Sequence, residues 1–375
     1  MSDEIIHKGL DGVVVDSTRI SKVMPEINSL VYFGYPVQEL VEHCCFEKIA
    51  WLIWHGELPS ARDLDAFRTY ERTRRGISPT LLEVLRKFPH TAHPMDVLRT
   101  AVSFLGMEQA KPERQDAEAN MQRSVELLAK IPTIIGAFYR LRKGLEVIPP
   151  RDDVGIAENF FHVCFGKVPA PEVVRAFDAS LILYAEHGFN ASTFTARVVV
   201  SSMADLHGGV TAGIASLKGP LHGGANEAVM KMLLEIAEPA RARDWMLAAL
   251  RNHRKVMGFG HRVYKHGDSR VPTMKKYARA MADFTGQAKW LDIADILEAT
   301  MIEQKGIYPN LDFPSGPAYY MMGIDIDMYT PIFVMARITG WTAHIMEQLA
   351  NNTLIRPLSN YTGPAQRGVK PLEQR

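Results

Sequence analysis

The sequence predicts a nearly all-α protein with a small N-terminal β-ribbon. Three observations carry this. Apolar residues recur at helical spacing from Val37 onward, as in Val37, Leu40, Val41 and Cys44. Convincing strand signals are confined to the first 35 residues. Strands and helices nowhere alternate, no G-x-G-x-x-G follows a strand, and no Walker sequence is present, which excludes the usual dinucleotide and P-loop architectures.

The ribbon is expected from Gly12-Val13-Val14-Val15-Asp16-Ser17-Thr18 and Ser29-Leu30-Val31-Tyr32-Phe33-Gly34, β-branched or aromatic runs bounded by turn residues. From Val37 the apolar face continues through Ile49, Leu52 and Ile53 until Gly56 and Pro59 stop it. Ser60 caps the next helix with Asp63 three residues on, and the helix runs to a basic end at Arg72, Arg74 and Arg75 closed by Gly76. Ser78-Pro79 opens another, with proline at the first position. Asp116–Lys143 is helical in pattern, and Pro132 predicts a kink or break inside it. Further helices are expected at Pro171–Glu186, Thr193–Leu206 and Asn226–Ile236. Four more follow at Trp245–Arg254, Thr273–Phe284, Trp290–Gln304 and Pro331–Leu349.

A chain of 375 residues accommodates two domains at about 100–200 residues each. No low-complexity linker separates them, so interleaved domains or tight glycine hinges are expected, at Gly208-Gly209 and Gly219-Pro220-Leu221-His222-Gly223-Gly224. Hydrophobic residues make up 47% and charged residues 23%, which excludes disordered and fibrous classes. The net charge of +1 argues against a general nucleic-acid or membrane-surface binder. Cys44, Cys45 and Cys164 cannot form a disulfide framework and lie at no metal-ligand spacing. The acidic Met-Ser-Asp-Glu-Ile-Ile-His start lacks a secretory or transit pattern, and no apolar run approaches membrane-span length. A cytoplasmic location is expected.

Three segments place reactive groups among glycines. In Gly219–Glu227, His222 precedes a helix, whose positive end disfavours imidazolium. A neutral imidazole there can donate a hydrogen bond to a carbonyl; a turn histidine that caps the helix is the plainer alternative. From Arg251 to Lys276, Lys/Arg residues stand at 251, 254, 255, 262, 265, 270, 275 and 276 against the single acid Asp268. With the embedded glycines and His261, this suggests an anion site, against the alternative of a solvated basic face. In Tyr308–Pro317, Asp312 lies between apolar neighbours, where burial would make it a stronger base, unless it only caps a helix. No G-x-S-x-G or paired Cys/His signature points to a hydrolase. Residue chemistry alone reaches an enzyme acting on an anionic, nucleotide-bearing substrate.

Gly219-Pro220-Leu221-His222-Gly223-Gly224-Ala225-Asn226-Glu227, Gly258-Phe259-Gly260-His261-Arg262-Val263-Tyr264 and Pro309-Asn310-Leu311-Asp312-Phe313 resemble, in order and separation, the three signature motifs of the citrate synthase family. The resemblance extends from Gly9 to Pro357. It implies a two-domain helical fold, with residues 1–221 and 319–375 forming a large domain and 222–318 a small one that closes over the site. It also implies Claisen condensation of an acyl-CoA with oxaloacetate, without metal or further cofactor. Asp312 would take the acyl α-proton, His222 would hold the thioester carbonyl, and His261 would polarise the ketone. Arg270, Arg337, Arg356 and His187 would bind the oxaloacetate carboxylates, with Arg72 as a further candidate. Lys255, Val256, Met257, Gly258 and Phe259 would receive CoA. Arg356 would cross the interface of a homodimer.

Two places depart from the family pattern. Tyr32-Phe33-Gly34-Tyr35 replaces the usual tyrosine-arginine-glycine-tyrosine, and Ser269 replaces proline before Arg270. Tyr184 and Leu311 resemble the 2-methylcitrate synthase branch, as do Pro317–Gly323 and Arg356–Tyr361. The resemblance therefore implies a preference for propionyl-CoA with citrate synthase activity on acetyl-CoA alongside; the alternative is a citrate synthase of the citric acid cycle. A helical scaffold without catalysis and a nucleic-acid-binding role for the basic segment are the readings from other classes.

Overall fold

The computed structural model describes residues 6–261, 263–264 and 267–375. A three-stranded antiparallel ribbon, β1 (Ser21–Met24), β2 (Ser29–Tyr32) and β3 (Tyr35–Pro36), opens the fold. Ser21 pairs with Tyr32 and Met24 with Ser29, while Leu30 and Tyr32 turn inward and are fully buried. The Val13–Val15 run is not a strand. Val14 is 90% exposed, so a β-branched run without a face to bury stays unpaired, and the first strand forms after the buried Ile20 instead.

Sixteen α-helices follow among the described residues. The first six are α1 (Val37–His43), α2 (Phe46–His55), α3 (Ala61–Arg72), α4 (Pro79–Lys87), α5 (Pro94–Met107) and α6 (Ala117–Arg142). The next five are α7 (Ile156–Phe165), α8 (Pro171–Tyr184), α9 (Ala191–Ser201), α10 (Leu206–Lys218) and α11 (Ala225–Ile236). The last are α12 (Pro239–Arg251), α13 (Val271–Thr285), α14 (Lys289–Lys305), α15 (Asp312–Met321) and α16 (Tyr329–Ala350). The apolar stretch expected as one helix from Val37 divides at Cys44-Cys45, both extended. The Asp178 carboxylate, from α8, accepts the Phe46 N–H at 3.0 Å and caps the new helix. Ser60 and Asp63 form the expected capping box of α3. Helix α6 runs through Pro132 without a break. The residues around that proline, Leu127 to Tyr139, are all buried except Lys130, and packing on every side outweighs one lost backbone bond.

Helix α16 is the axis of the molecule, buried from Tyr329 to Ile345 and in contact with α2, α5, α6, α8, α9, α10 and α11. Gly208 and Gly209, expected as a hinge, lie in the first turn of α10. A Cβ on Gly209 would come 2.7 Å from Val200 Cγ1 and 2.9 Å from Ile345 Cδ1, so this glycine serves close packing of α10 on α9 and α16. Arg75, read from the sequence as part of a basic helix end, is buried instead. It pairs with Glu71 at 2.7 Å and donates to the carbonyls of Arg151 and Val154, joining α3 to the approach of α7.

Candidate active site

The three glycine-flanked segments converge on one cavity of about 120 Å³. His222 sits in the tight turn that leads into α11. The Gly223 N–H donates to Leu217 O at 2.9 Å, and a Cβ at Gly223 would lie 2.5 Å from that oxygen, so the turn requires glycine. The imidazole is fixed by α9: the Ser192 N–H donates to His222 Nε2 at 3.2 Å, and the Ser192 hydroxyl lies 2.7 Å from the same nitrogen. That hydroxyl is itself held by Trp341 Nε1 at 3.0 Å and lies 2.8 Å from Asn190 Oδ1. A nitrogen that accepts an amide proton carries none, so the proton of neutral His222 is on Nδ1. Burial, aided by the Arg337 charge, lowers its pKa to about 4.

His261 is set by its own loop. The N–H groups of Val263 and Tyr264 donate to its Nδ1 at 3.0 and 3.2 Å, which leaves the proton on Nε2. Burial and Arg270 lower it also to about 4. Gly258–Gly260 runs beside Tyr308–Asn310: Asn310 N donates to Gly258 O at 2.9 Å, and Gly260 N to Tyr308 O at 2.8 Å. The second and third segments are therefore one unit. Gly258 has φ +84, and a Cβ there would lie 2.5 Å from Val229 Cγ2.

Asp312 is the first residue of α15, and its N–H donates to Asn310 Oδ1 at 3.1 Å. Its Oδ1 accepts the Tyr184 hydroxyl at 2.7 Å. Burial raises its pKa to about 6, against the lowering by that hydrogen bond and by Arg270. At neutral pH the site thus holds an ionised carboxylate of raised basicity and two neutral imidazoles with assigned N–H donors.

Arg270 and Arg337 line the same cavity with His187. Arg270 makes a two-point pair with Asp268, Nη2 to Oδ2 at 2.7 Å and Nε to Oδ1 at 2.9 Å. Arg337 donates through Nε to Tyr184 O at 2.7 Å, and burial lowers its pKa to about 10, which leaves it cationic. Its Nη1 and the Nε2 of His187 are buried without a hydrogen-bond partner among the described residues. Unpaired polar atoms on one cavity are the mark of a place for a polar ligand.

Other expected residues lie elsewhere. Arg72 lines a separate cavity with Arg68 and Arg175, across from Glu47, Asp153, Glu158 and Asp178. Carboxylates offset its charge there, and it is not part of the site that holds Arg270 and Arg337. Arg356 is exposed on the segment after α16, outside the cavity. In the CoA segment Lys255 is exposed, Val256 is buried, Met257 is partly buried, and Phe259 packs on Phe313 with ring centroids 4.5 Å apart. Arg262 and Lys265 of the basic stretch lie outside the described residues. Ser192 and Phe333 were not legible as site residues, because neither sits in a glycine-flanked segment, and Asn190 and Trp341, near Gly188 and Gly340, carried no reactive group to single them out. Asp268 had a signal, as the single acid in the basic stretch. No three His, Cys, Asp or Glu side chains gather as a metal group among the described residues, and no described helix is long and apolar enough to cross a membrane.

A carboxylate of raised basicity, two imidazole N–H donors and two buried arginines on one cavity suit an enzyme that removes a proton beside a carbonyl and stabilises the enolate that results. The family model for the citrate synthase C-terminal domain matches residues 9–358, and the chain belongs to the citrate synthase family, whose members are acyltransferases. It is 56% identical over 362 residues to 2-methylcitrate synthase of Mycobacterium tuberculosis strain Erdman, covering 96% of this chain and 92% of that one. It is also 56% identical to citrate synthase of Mycolicibacterium smegmatis, covering 97% of each. Among solved structures, the ternary complex of carboxymethyl coenzyme A and oxaloacetate with citrate synthase from Thermoplasma acidophilum matches with a TM-score of 0.94 at 32% identity. That match covers 99% of this chain and 100% of the other.

Proposed function

We propose that the enzyme condenses propionyl-CoA with oxaloacetate and water to give 2-methylcitrate and CoA, and makes citrate from acetyl-CoA at the same site. The arrangement of Asp312, His222 and His261 around one cavity carries the reading. Asp312 takes the α-proton of the acyl group. The Nδ1–H of His222 donates to the thioester oxygen as the enolate forms. The Nε2–H of His261 polarises the oxaloacetate ketone and passes its proton to the new alkoxide. Water then cleaves the thioester and frees CoA. One base contributes about 10²–10⁴-fold, so the two preorganised donors must supply much of the remaining stabilisation of the enolate.

The free Nη1 of Arg337, the His187 ring and Arg270 bind the two carboxylates of oxaloacetate. The segment from Lys255 to Phe259 receives the CoA adenine and phosphates. Residues 222–318 close as a unit against the rest and keep the enolate from water. Arg356, exposed within its own chain, completes the carboxylate site of the other subunit in a homodimer. Soluble cytoplasm is the compartment that fits these substrates. The propionyl preference rests on Tyr184 and Leu311, which both line the cavity beside Asp312. Equal identity to a 2-methylcitrate synthase and a citrate synthase favours neither acyl group. One methylene is worth about 1–3 kcal/mol in a pocket, so both thioesters should turn over.

The test is oxaloacetate-dependent release of the CoA thiol, with kcat/KM compared for the two thioesters. A higher value for propionyl-CoA supports the reading. A higher value for acetyl-CoA makes the enzyme a citrate synthase, and no release with either overturns the condensation.

A further inference from the structure

We propose that Tyr184 is a positioning residue for the catalytic base, its hydroxyl fixing one oxygen of Asp312 so that the other faces the substrate carbon. This rests on the condensation reading and deepens it, because it gives Tyr184 a task separate from shaping the acyl pocket. Tyr184 ends α8, and its fully buried ring packs on Phe333 with centroids 4.3 Å apart. Its carbonyl accepts Arg337 Nε at 2.7 Å, which anchors the backbone at that point. From this fixed base the hydroxyl reaches across to α15 and donates to Asp312 Oδ1 at 2.7 Å. Asp312 begins its helix and could otherwise rotate about its side-chain bonds; the hydroxyl selects one orientation. With Oδ1 occupied, Oδ2 is left as the proton acceptor.

The direction of the hydrogen bond is settled by chemistry. Burial holds the Tyr184 phenol far above its ordinary range, so it is protonated at any working pH and must donate to the carboxylate. A donor favours the ionised acid and so moderates the rise that burial imposes on Asp312. The other charged or titratable groups that bear on Asp312 are Arg270 and Asp268 before α13, Arg337 on α16 and Tyr319 on α15. His187, His222 and His261 share the cavity; burial lowers all three, so they are neutral near the pH at which Asp312 titrates. The Tyr184 hydroxyl is therefore a group hydrogen-bonded to the Asp312 carboxylate that can be removed without altering a charge.

Tyr184→Phe keeps the ring, its packing and the backbone contact with Arg337, and deletes only the hydroxyl. The acid limb of kcat/KM should move up by about one pH unit. The plateau kcat should fall roughly tenfold as Asp312 loses its fixed orientation, and the ratio of propionyl-CoA to acetyl-CoA turnover should hold within about twofold. An unmoved acid limb with unchanged kcat overturns the proposal, and so does a changed acyl ratio with an unmoved limb, which would confine Tyr184 to the pocket wall. A readout without turnover separates failure of the proposal from failure of the functional reading. The Tm difference that Asp312→Asn makes reports Asp312 titration, and its midpoint should move to higher pH when Tyr184→Phe is also present. If it does not move, the hydrogen bond has no hold on Asp312, whatever the enzyme catalyses.

Discussion

Replacing Asp312 by Asn should cut turnover sharply and stabilise the fold in one step. Burial lifts the Asp312 carboxyl from 3.8 to about 6. Two pKa units correspond to roughly 3 kcal/mol at about 1.4 kcal/mol per unit, an order-of-magnitude value. Below pH about 4 the group is protonated in both the folded and unfolded chain and contributes no difference. Between about 4 and 6 the folded protein holds a proton that the unfolded chain has released, so stability falls as pH rises. Above about 6 the folded state carries the full cost of an ionised carboxylate in a buried site. Asn removes that cost and keeps an oxygen to accept the Tyr184 hydroxyl. The variant should therefore melt several degrees above the unaltered enzyme at pH 7.5, with the gap closing by pH 4. In the CoA-release assay kcat should drop about 10²–10⁴-fold. Thermal melts across that pH range decide the matter. A variant that is inactive but no more stable at pH 7.5 would show that the carboxylate carries no burial cost, and one that remains active would show that another group is the base.

The kcat/KM profile should show an acid limb near pH 6 from Asp312 and no limb from His222 or His261, both of which are neutral down to about pH 4; a second acid limb between about pH 6 and 7 would contradict the lowered pKa values of the two histidines. Arg337→Gln leaves the buried Tyr184 carbonyl without its donor and removes a cation from the cavity, so KM for oxaloacetate should rise at least tenfold while KM for the acyl-CoA changes little, as read from initial rates. Gly258→Ala should cost more than about 1 kcal/mol in urea unfolding and impair turnover, because φ is +84 and the new methyl would meet Val229 and Phe313. Arg75→Met alone should destabilise by about 3–5 kcal/mol by stranding the Glu71 carboxylate, and adding Glu71→Leu should recover much of that in the same assay.

The helical class and the three segments that meet at the cavity were legible because both rest on local chemistry. The capping box at Ser60 and Asp63, and the 3.6-residue recurrence of apolar side chains, are properties of neighbours in the chain. His222, His261 and Asp312 stood out for the glycines and prolines around them, which mark turns that carry side chains into the open. The errors share a different cause. Val13–Val15 has strand propensity but no buried face, and Gly208-Gly209 breaks helices in isolation yet lets α10 approach α9 and α16. Arg72 and Arg75 look alike in sequence, and only tertiary contacts make one part of a separate cleft and the other a buried ion-pair partner.

The tautomers of the two histidines show how far that distinction reaches into the chemistry. His261 receives its amide donors from Val263 and Tyr264, two and three residues ahead, so its N–H donor is specified within its own segment. His222 receives its donor from Ser192, thirty residues away on another helix, and Ser192 is held in turn by Trp341 on α16. The first assignment could survive considerable change elsewhere in the fold. The second depends on α9, α11 and α16 staying in register. Because α16 also carries Arg337, the tryptophan that holds Ser192 against His222 and one cation of the cavity come from one buried helix. A shift of that helix would disturb both contacts together, and its close packing from Tyr329 to Ile345 resists one.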